Sequence, residues 1–168
     1  RLELITRENG IAHKNAHDAM SDVDALIDVT KLIRNKQPQL FEYLLKMRDK
    51  KEVVKLVNVD DKKPFVYSSG RYDKEFAKTT VALPLAAGRN GNVDLRYDPT
   101  PFIDLSESEL AHKVYASWQE RQAEDFVKLP AKELQPNRCP AVAPLGVLAH
   151  GDGWAKISLD AETIAKHQ

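Results

Sequence analysis

The chain has 168 residues, enough for one ordinary domain or for a small domain joined to part of another. Its 42% apolar and 30% charged content is that of a water-soluble globular protein, and 25 basic against 25 acidic side chains leave no net charge, which argues against a dedicated polycation for nucleic acid without excluding a local basic strip. A single cysteine, Cys139, excludes an internal disulfide and fits a reducing compartment, the cytoplasm; no apolar run is long enough to span a bilayer, and no signal peptide opens the chain.

Residues 1–9 read as a helix with apolar positions at Leu2 and Ile5, stopped by Gly10, which tolerates positive φ after a last turn. Residues 10–16 form a loop. A second helix spans about 18–35, with Asp18 as its cap and Met20, Val23, Leu26, Val29, Leu32 and Ile33 at helical spacing as one buried stripe. Asp24 and Asp28 belong to its solvated surface. Pro38 opens a third helix, where its missing N–H is harmless, with Leu40, Phe41, Leu44 and Leu45 as the apolar face. Residues 50–57 suggest a further short helix.

The character changes near Asp60-Asp61-Lys62-Lys63-Pro64. Beyond it come short β-like runs at 65–68, 79–85, 93–97, 126–129 and 141–142, with Asn90-Gly91 as a hairpin turn because both residues accept positive φ. Ser106 and Glu109 have capping-box spacing ahead of Leu110, Val114 and Tyr115, and a last helix begins near Asp160. The helical piece is too small to bury its own stripes and needs a packing partner. Trp118 and Trp154 are expected in the core or in an inter-domain contact, and Cys139 is expected to be buried.

The chemistry concentrates in Asn15-Ala16-His17-Asp18-Ala19-Met20-Ser21-Asp22-Val23. Phosphodiester hydrolysis with two divalent ions needs converging carboxylates and a base for the attacking water, a task that suits an imidazole. His17 falls at the loop–helix junction, free to reach over a site, and Asp22 lies one turn into the helix, held by Met20 and Val23 beneath it. His17-Asp18 also admits an HD-phosphohydrolase reading, but that chemistry needs further ligands. His13 is too close along the loop to supply one, and His112 and His150 lie in the other region.

This string resembles the third motif of the DEDDh 3′–5′ exonucleases, and residues 1–43 resemble the bacterial exonuclease I family. The resemblance implies an α+β chain: the helical end of a ribonuclease H-like exonuclease domain (1–56), a small SH3-like β-rich domain (57–157) and the start of a helical extension (158–168). The points of likeness in the second part are Lys63-Pro64, Ser69-Gly70, the 82–86 run Ala-Leu-Pro-Leu-Ala, Val93-Asp94-Leu95 and Arg138-Cys139-Pro140. The family removes nucleoside 5′-monophosphates from the 3′ end of single-stranded DNA with two Mg²⁺ ions. It assigns the general base to His17 and a metal ligand to Asp22. Its other acidic motifs precede this one, and sixteen residues before His17 cannot hold them. The chain therefore reads as a fragment, inactive alone, of an active parent nuclease.

The family also docks the acidic tail of single-strand DNA-binding protein, with Tyr43 and Lys63 at matching positions; an aromatic wall beside a cation suits a tail that ends in an apolar residue and a carboxylate. Residues 143–152 lack the polar and basic pattern expected on such a surface. Lys46, Arg48, Lys50, Lys51, Lys55, Lys62 and Lys63 could track phosphates if they share a face, although Asp49, Glu52, Asp60 and Asp61 are interleaved. Tyr67, Tyr72 and Tyr97 are candidates to stack on bases, or ordinary strand packing. The alternative to a nuclease is a non-enzymatic module that binds single-stranded DNA or the partner's tail.

Overall fold

A computed structural model describes residues 2–13, 18–86 and 91–168 of the chain. It separates into two units, Arg1–Lys46 and Met47–Gln168.

The first unit is helical. α1 (Leu2–Glu8) ends where Gly10 takes φ +65°, so that the Ile11 N–H returns to the Thr6 carbonyl at 2.9 Å and the Gly10 N–H to that of Arg7 at 3.3 Å. This Schellman closure satisfies the last carbonyls and turns the chain back. α2 (Ala19–Lys36) begins at Asp18, whose Oδ2 accepts the Ser21 N–H at 3.1 Å, as the capping preference of aspartate requires. α3 (Pro38–Lys46) starts on its proline. The expected buried stripe of α2 does not form. Only Ala25 and Val29 are buried there; Val23, Leu26 and Ile33 are exposed, and Met20 is 67% exposed. Leu40, Leu44 and Leu45 of α3 are exposed as well. The helical period is present, but these short helices offer too little facing surface to cover it. Asp28 meets Lys31 at 2.9 Å on the solvated face.

The second unit opens with α4 (Lys50–Leu56), capped by Asp49, which buries Val53 and packs beside residues 141–144. The division at 46/47 stands ten residues before the boundary expected after residue 56. Five antiparallel strands follow in the order β4-β3-β2-β1-β5. They are β1 (Phe65–Ser68), β2 (Thr79–Ala86), β3 (Gly91–Asp94), β4 (Ala131–Glu133) and β5 (Ala141–Pro144). α5 (Thr100–Ile103) and α6 (Glu107–Tyr115) lie between β3 and β4, and α7 (Gly153–Lys156) and α8 (Ala161–His167) close the chain. β1 is central, with Phe65↔Ala82 on one side and Phe65↔Pro144 on the other, and its first three residues are buried. Pro84 is tolerated in β2 because β1 pairs only as far as Ala82 and the register shifts between Pro84 and Ala86.

Two strands differ from expectation for identifiable reasons. β3 stops at Asp94 rather than running to Tyr97, because the Asp94 side chain accepts the Arg96 N–H at 3.1 Å and turns the backbone. Residues 126–129 are not a strand. The ladder with β3 begins at Ala131, since Pro130 accepts the Asp94 N–H at 2.9 Å but has no N–H to return. The expected Asn90-Gly91 turn lies partly outside the described residues.

Val66, Val81, Leu83, Leu95, Leu148, Ile157 and Ile164 form a core between the sheet and the C-terminal helices, with Trp154 packed against it. Gly153 is required at the start of α7, where a Cβ would stand 2.7 Å from the Leu148 carbonyl oxygen. Trp118, in contrast, is 76% exposed. Cys139 is also exposed, carried outward by its left-handed backbone (φ 46°) after the 136–138 turn. The α+β class read from the sequence is the observed one.

Candidate active site

Asp22 occupies the first turn of α2, where the helix end favours a carboxylate. Its backbone N–H bonds the Asp18 carbonyl at 2.9 Å, so the capped turn fixes its position. Met20 and Val23 are exposed and do not pack beneath it, contrary to expectation. Its support is His13. The His13 Nε2 lies 2.7 Å from Asp22 Oδ1, with the imidazole only 4% exposed and the carboxylate 39% exposed. A carboxylate can only accept here, which puts the proton on Nε2. At the other side of the ring, Nδ1 is 3.5 Å from Oγ1 of the buried Thr6, which itself donates to the Glu3 carbonyl at 3.0 Å.

The other half of the expected pair, His17, lies outside the described residues, as do Asn15 and Ala16 of the same motif. His13 is what residue spacing missed. It stands nine positions before Asp22, and only the return of the chain after the Gly10 turn brings it to α2. The Gly10 stop marked where that return begins, but no periodicity describes the course of the loop.

Asp22 is a hard oxygen donor on a fixed turn, of the kind a divalent cation takes. Among the described residues no group of three His, Cys, Asp or Glu side chains is placed to hold a metal ion. Asp22 thus fits as one ligand of a centre and not as the whole of one.

The other candidates divide between the units. Tyr43 sits half-buried on α3 in the first unit, and burial raises its phenol above the ordinary value. Lys63 is in the second unit, with its exposed ammonium 3.8 Å from Asp61. Of the basic residues considered for phosphate tracking, Lys55 pairs with Glu52 at 2.6 Å. Tyr67 and Tyr72 are buried edge to face at 5.5 Å and serve packing, whereas Tyr97 is exposed.

The charged groups near the sheet are bound into the fold. Asp94 is buried, accepts the Thr80 hydroxyl, and is pushed upward by desolvation. The Arg96 guanidinium stacks 3.7 Å above Phe76 and donates to the Ser158 and Thr79 carbonyls at 3.0 and 3.2 Å. Lys132 stands 3.8 Å over the Tyr72 ring, and desolvation lowers it. A groove of about 490 Å³ beside this sheet is walled by Leu83, Leu85, Val93, Phe102, Ile103 and Leu110 and offers little polar chemistry. No helix among the described residues is long and apolar enough to cross a membrane.

Comparison with known proteins extends the likeness along the whole chain. The family described as Exonuclease I SH3-like domain matches residues 48–168. Exodeoxyribonuclease I of Escherichia coli (strain K12) is 37% identical over 157 residues, 90% of this chain and 33% of that protein. The Haemophilus influenzae (strain Rd) Exodeoxyribonuclease I is 38% identical over 153 residues, 88% of this chain and 32% of its own length. The chain therefore spans about a third of these relatives. Among solved structures, a zinc-bound form of the E. coli ExoI–ssDNA complex aligns with TM-score 0.87 at 33% identity, covering 99% of this chain and 36% of that one. E. coli exonuclease I in complex with a dA16 oligonucleotide aligns with TM-score 0.87 at 34% identity, over 98% and 36%.

Proposed function

Because the chain belongs to the exonuclease I family, we propose that it is part of a 3′–5′ exonuclease that hydrolyses single-stranded DNA to nucleoside 5′-monophosphates. The observation that carries this reading is Asp22, fixed on the capped first turn of α2, five positions after His17 and hydrogen-bonded by a buried imidazole. The E. coli relative is described in complex with single-stranded DNA, which supports the choice of substrate.

In this reading His17 accepts the proton of the attacking water. A new bond forms between that oxygen and phosphorus, the bond from phosphorus to the neighbouring nucleotide's O3′ breaks, and the departing O3′ takes a proton from solvent to become the 3′-hydroxyl of the shortened strand. Asp22 holds a divalent cation. Mg²⁺, when bound, supplies charge neutralisation at the phosphate. Asp22 and His17 are two members of a larger catalytic set whose other members are acidic, so the 168-residue chain by itself is expected not to hydrolyse DNA.

In the full-length parent, His17→Ala should lower nucleotide release by roughly 10²- to 10⁴-fold. Binding to a fluorescent single-stranded oligonucleotide in EDTA should be retained. Unchanged turnover would favour a module that only binds. Metal-dependent nucleotide release by the purified 168-residue chain would overturn the inactivity of the piece.

The same membership suggests contacts to the acidic tail of single-strand DNA-binding protein, with Tyr43 as one aromatic contact and Lys63 as one cationic contact, each taken by itself. The half-burial of Tyr43 and the exposed ammonium of Lys63 are compatible with those parts. The single cysteine fits a cytoplasmic parent.

A further inference from the structure

Resting on the reading of Asp22 as a metal ligand, we infer that His13 is its positioning residue: the imidazole holds one carboxylate oxygen so that Asp22 presents itself to a cation in one orientation.

Three observations support this role. The Nε2–Oδ1 distance of 2.7 Å is that of a strong, charge-assisted hydrogen bond. The ring is nearly sealed from solvent while the carboxylate is not, so the restraint comes from the interior and acts on a group that faces outward. The ring also has its own anchorage. Thr6, 3.5 Å from Nδ1, is buried, and its carbonyl is the acceptor that closes the end of α1. The α1 terminus, the returning loop and the first turn of α2 thus converge on Asp22.

A carboxylate on an exposed helix turn ordinarily samples several rotamers. Pinning one oxygen removes most of that freedom before a cation arrives, which is how groups behind a ligand raise metal affinity. A merely structural histidine would stabilise the fold without changing what Asp22 binds, and that difference can be measured.

The test uses the full-length parent protein and Mn²⁺ alone as probe, with binding followed by electron paramagnetic resonance and calorimetry without DNA. His13→Ala should weaken Mn²⁺ binding by about 10- to 100-fold. Affinity for a single-stranded oligonucleotide in EDTA should be unchanged. His13→Gln, whose amide N–H reaches the Nε2 position, should recover most of the loss. His13→Asn fills the Thr6 end but stops short of Asp22, and should be as weak as alanine; it replaces alanine if that variant does not fold. Wild-type Mn²⁺ affinity in both His13→Ala and His13→Asn would overturn the inference, as would a glutamine variant no better than alanine. Asp22→Asn separates the two levels. If it binds Mn²⁺ like the wild type, the reading of Asp22 itself fails. If it loses Mn²⁺ while the His13 variants keep it, only the role of His13 fails.

Discussion

The two units solve the burial problem differently. The sheet unit closes a core between its strands and C-terminal helices, in which Val81 and Leu95 are almost fully sealed, and it also seals Phe65 and Leu134. The helical unit leaves much of its apolar stripe in contact with solvent, and its most sealed side chains include Ala25 and Thr6. A sheet brings distant strands together and fills both of its faces. A few short helices of correct period cannot do so without more surface to pack on. The candidate chemistry sits in the unit that is less self-sufficient by burial. Its local order comes instead from hydrogen bonds: the Asp18 cap, the closure at Gly10 and the His13–Asp22 pair.

That contrast can be tested by substitutions in the 168-residue chain, followed by denaturant unfolding. Phe65→Ala should have the largest effect, a loss of about 3–5 kcal/mol with collapse of the sheet unit's transition, because the ring is fully enclosed. A loss under about 1 kcal/mol would mean that the sheet core is looser than its burial indicates.

Ser106→Ala removes a capping box in which Ser106 and Glu109 exchange hydrogen bonds, and should cost about 1 kcal/mol. Because α6 buries no residue, the loss should show as faster amide exchange confined to 107–115.

Asp94 gives a smaller, pH-dependent signal. Desolvation raises its carboxyl above the ordinary value of 3.8, so between 3.8 and the raised value the folded state holds more protons than the unfolded one. The stability that this group contributes in acid is therefore lost as pH rises through that window. Asp94→Asn, which can still accept from Thr80 and Arg96, should flatten the slope. A slope unchanged by the substitution would remove Asp94 as its source.

Leu26→Ala should have the least effect, within about 0.5 kcal/mol, since the side chain is 53% exposed. A loss of 2 kcal/mol or more would show that the helical stripe is covered in solution, and would erase the contrast between the units.

Much of this was legible in the residues. Helix starts at Asp18, Pro38, Ser106 and Asp160 were readable because a cap is decided by a few adjacent atoms. Strands β1 and β2 were readable because β-branched and aromatic runs bounded by turns have few other uses. The 126–129 run misled because a strand also needs a partner with bonds to offer, and Pro130 ends that exchange. Cys139 misled because thiol character states a preference for burial, not a place in which to be buried, and Trp118 likewise stands outside the core.

The α+β class, the capped turn that carries Asp22 and the likeness to exonuclease I were all readable along the chain, since each depends on residue types at short, fixed separations. Which apolar stripe is covered, where the ladder stops and that His13 stands behind Asp22 emerged from the folded chain alone. Those outcomes depend on how the chain returns upon itself, and contacts across a loop are set by packing and hydrogen-bond completion rather than by spacing along the chain.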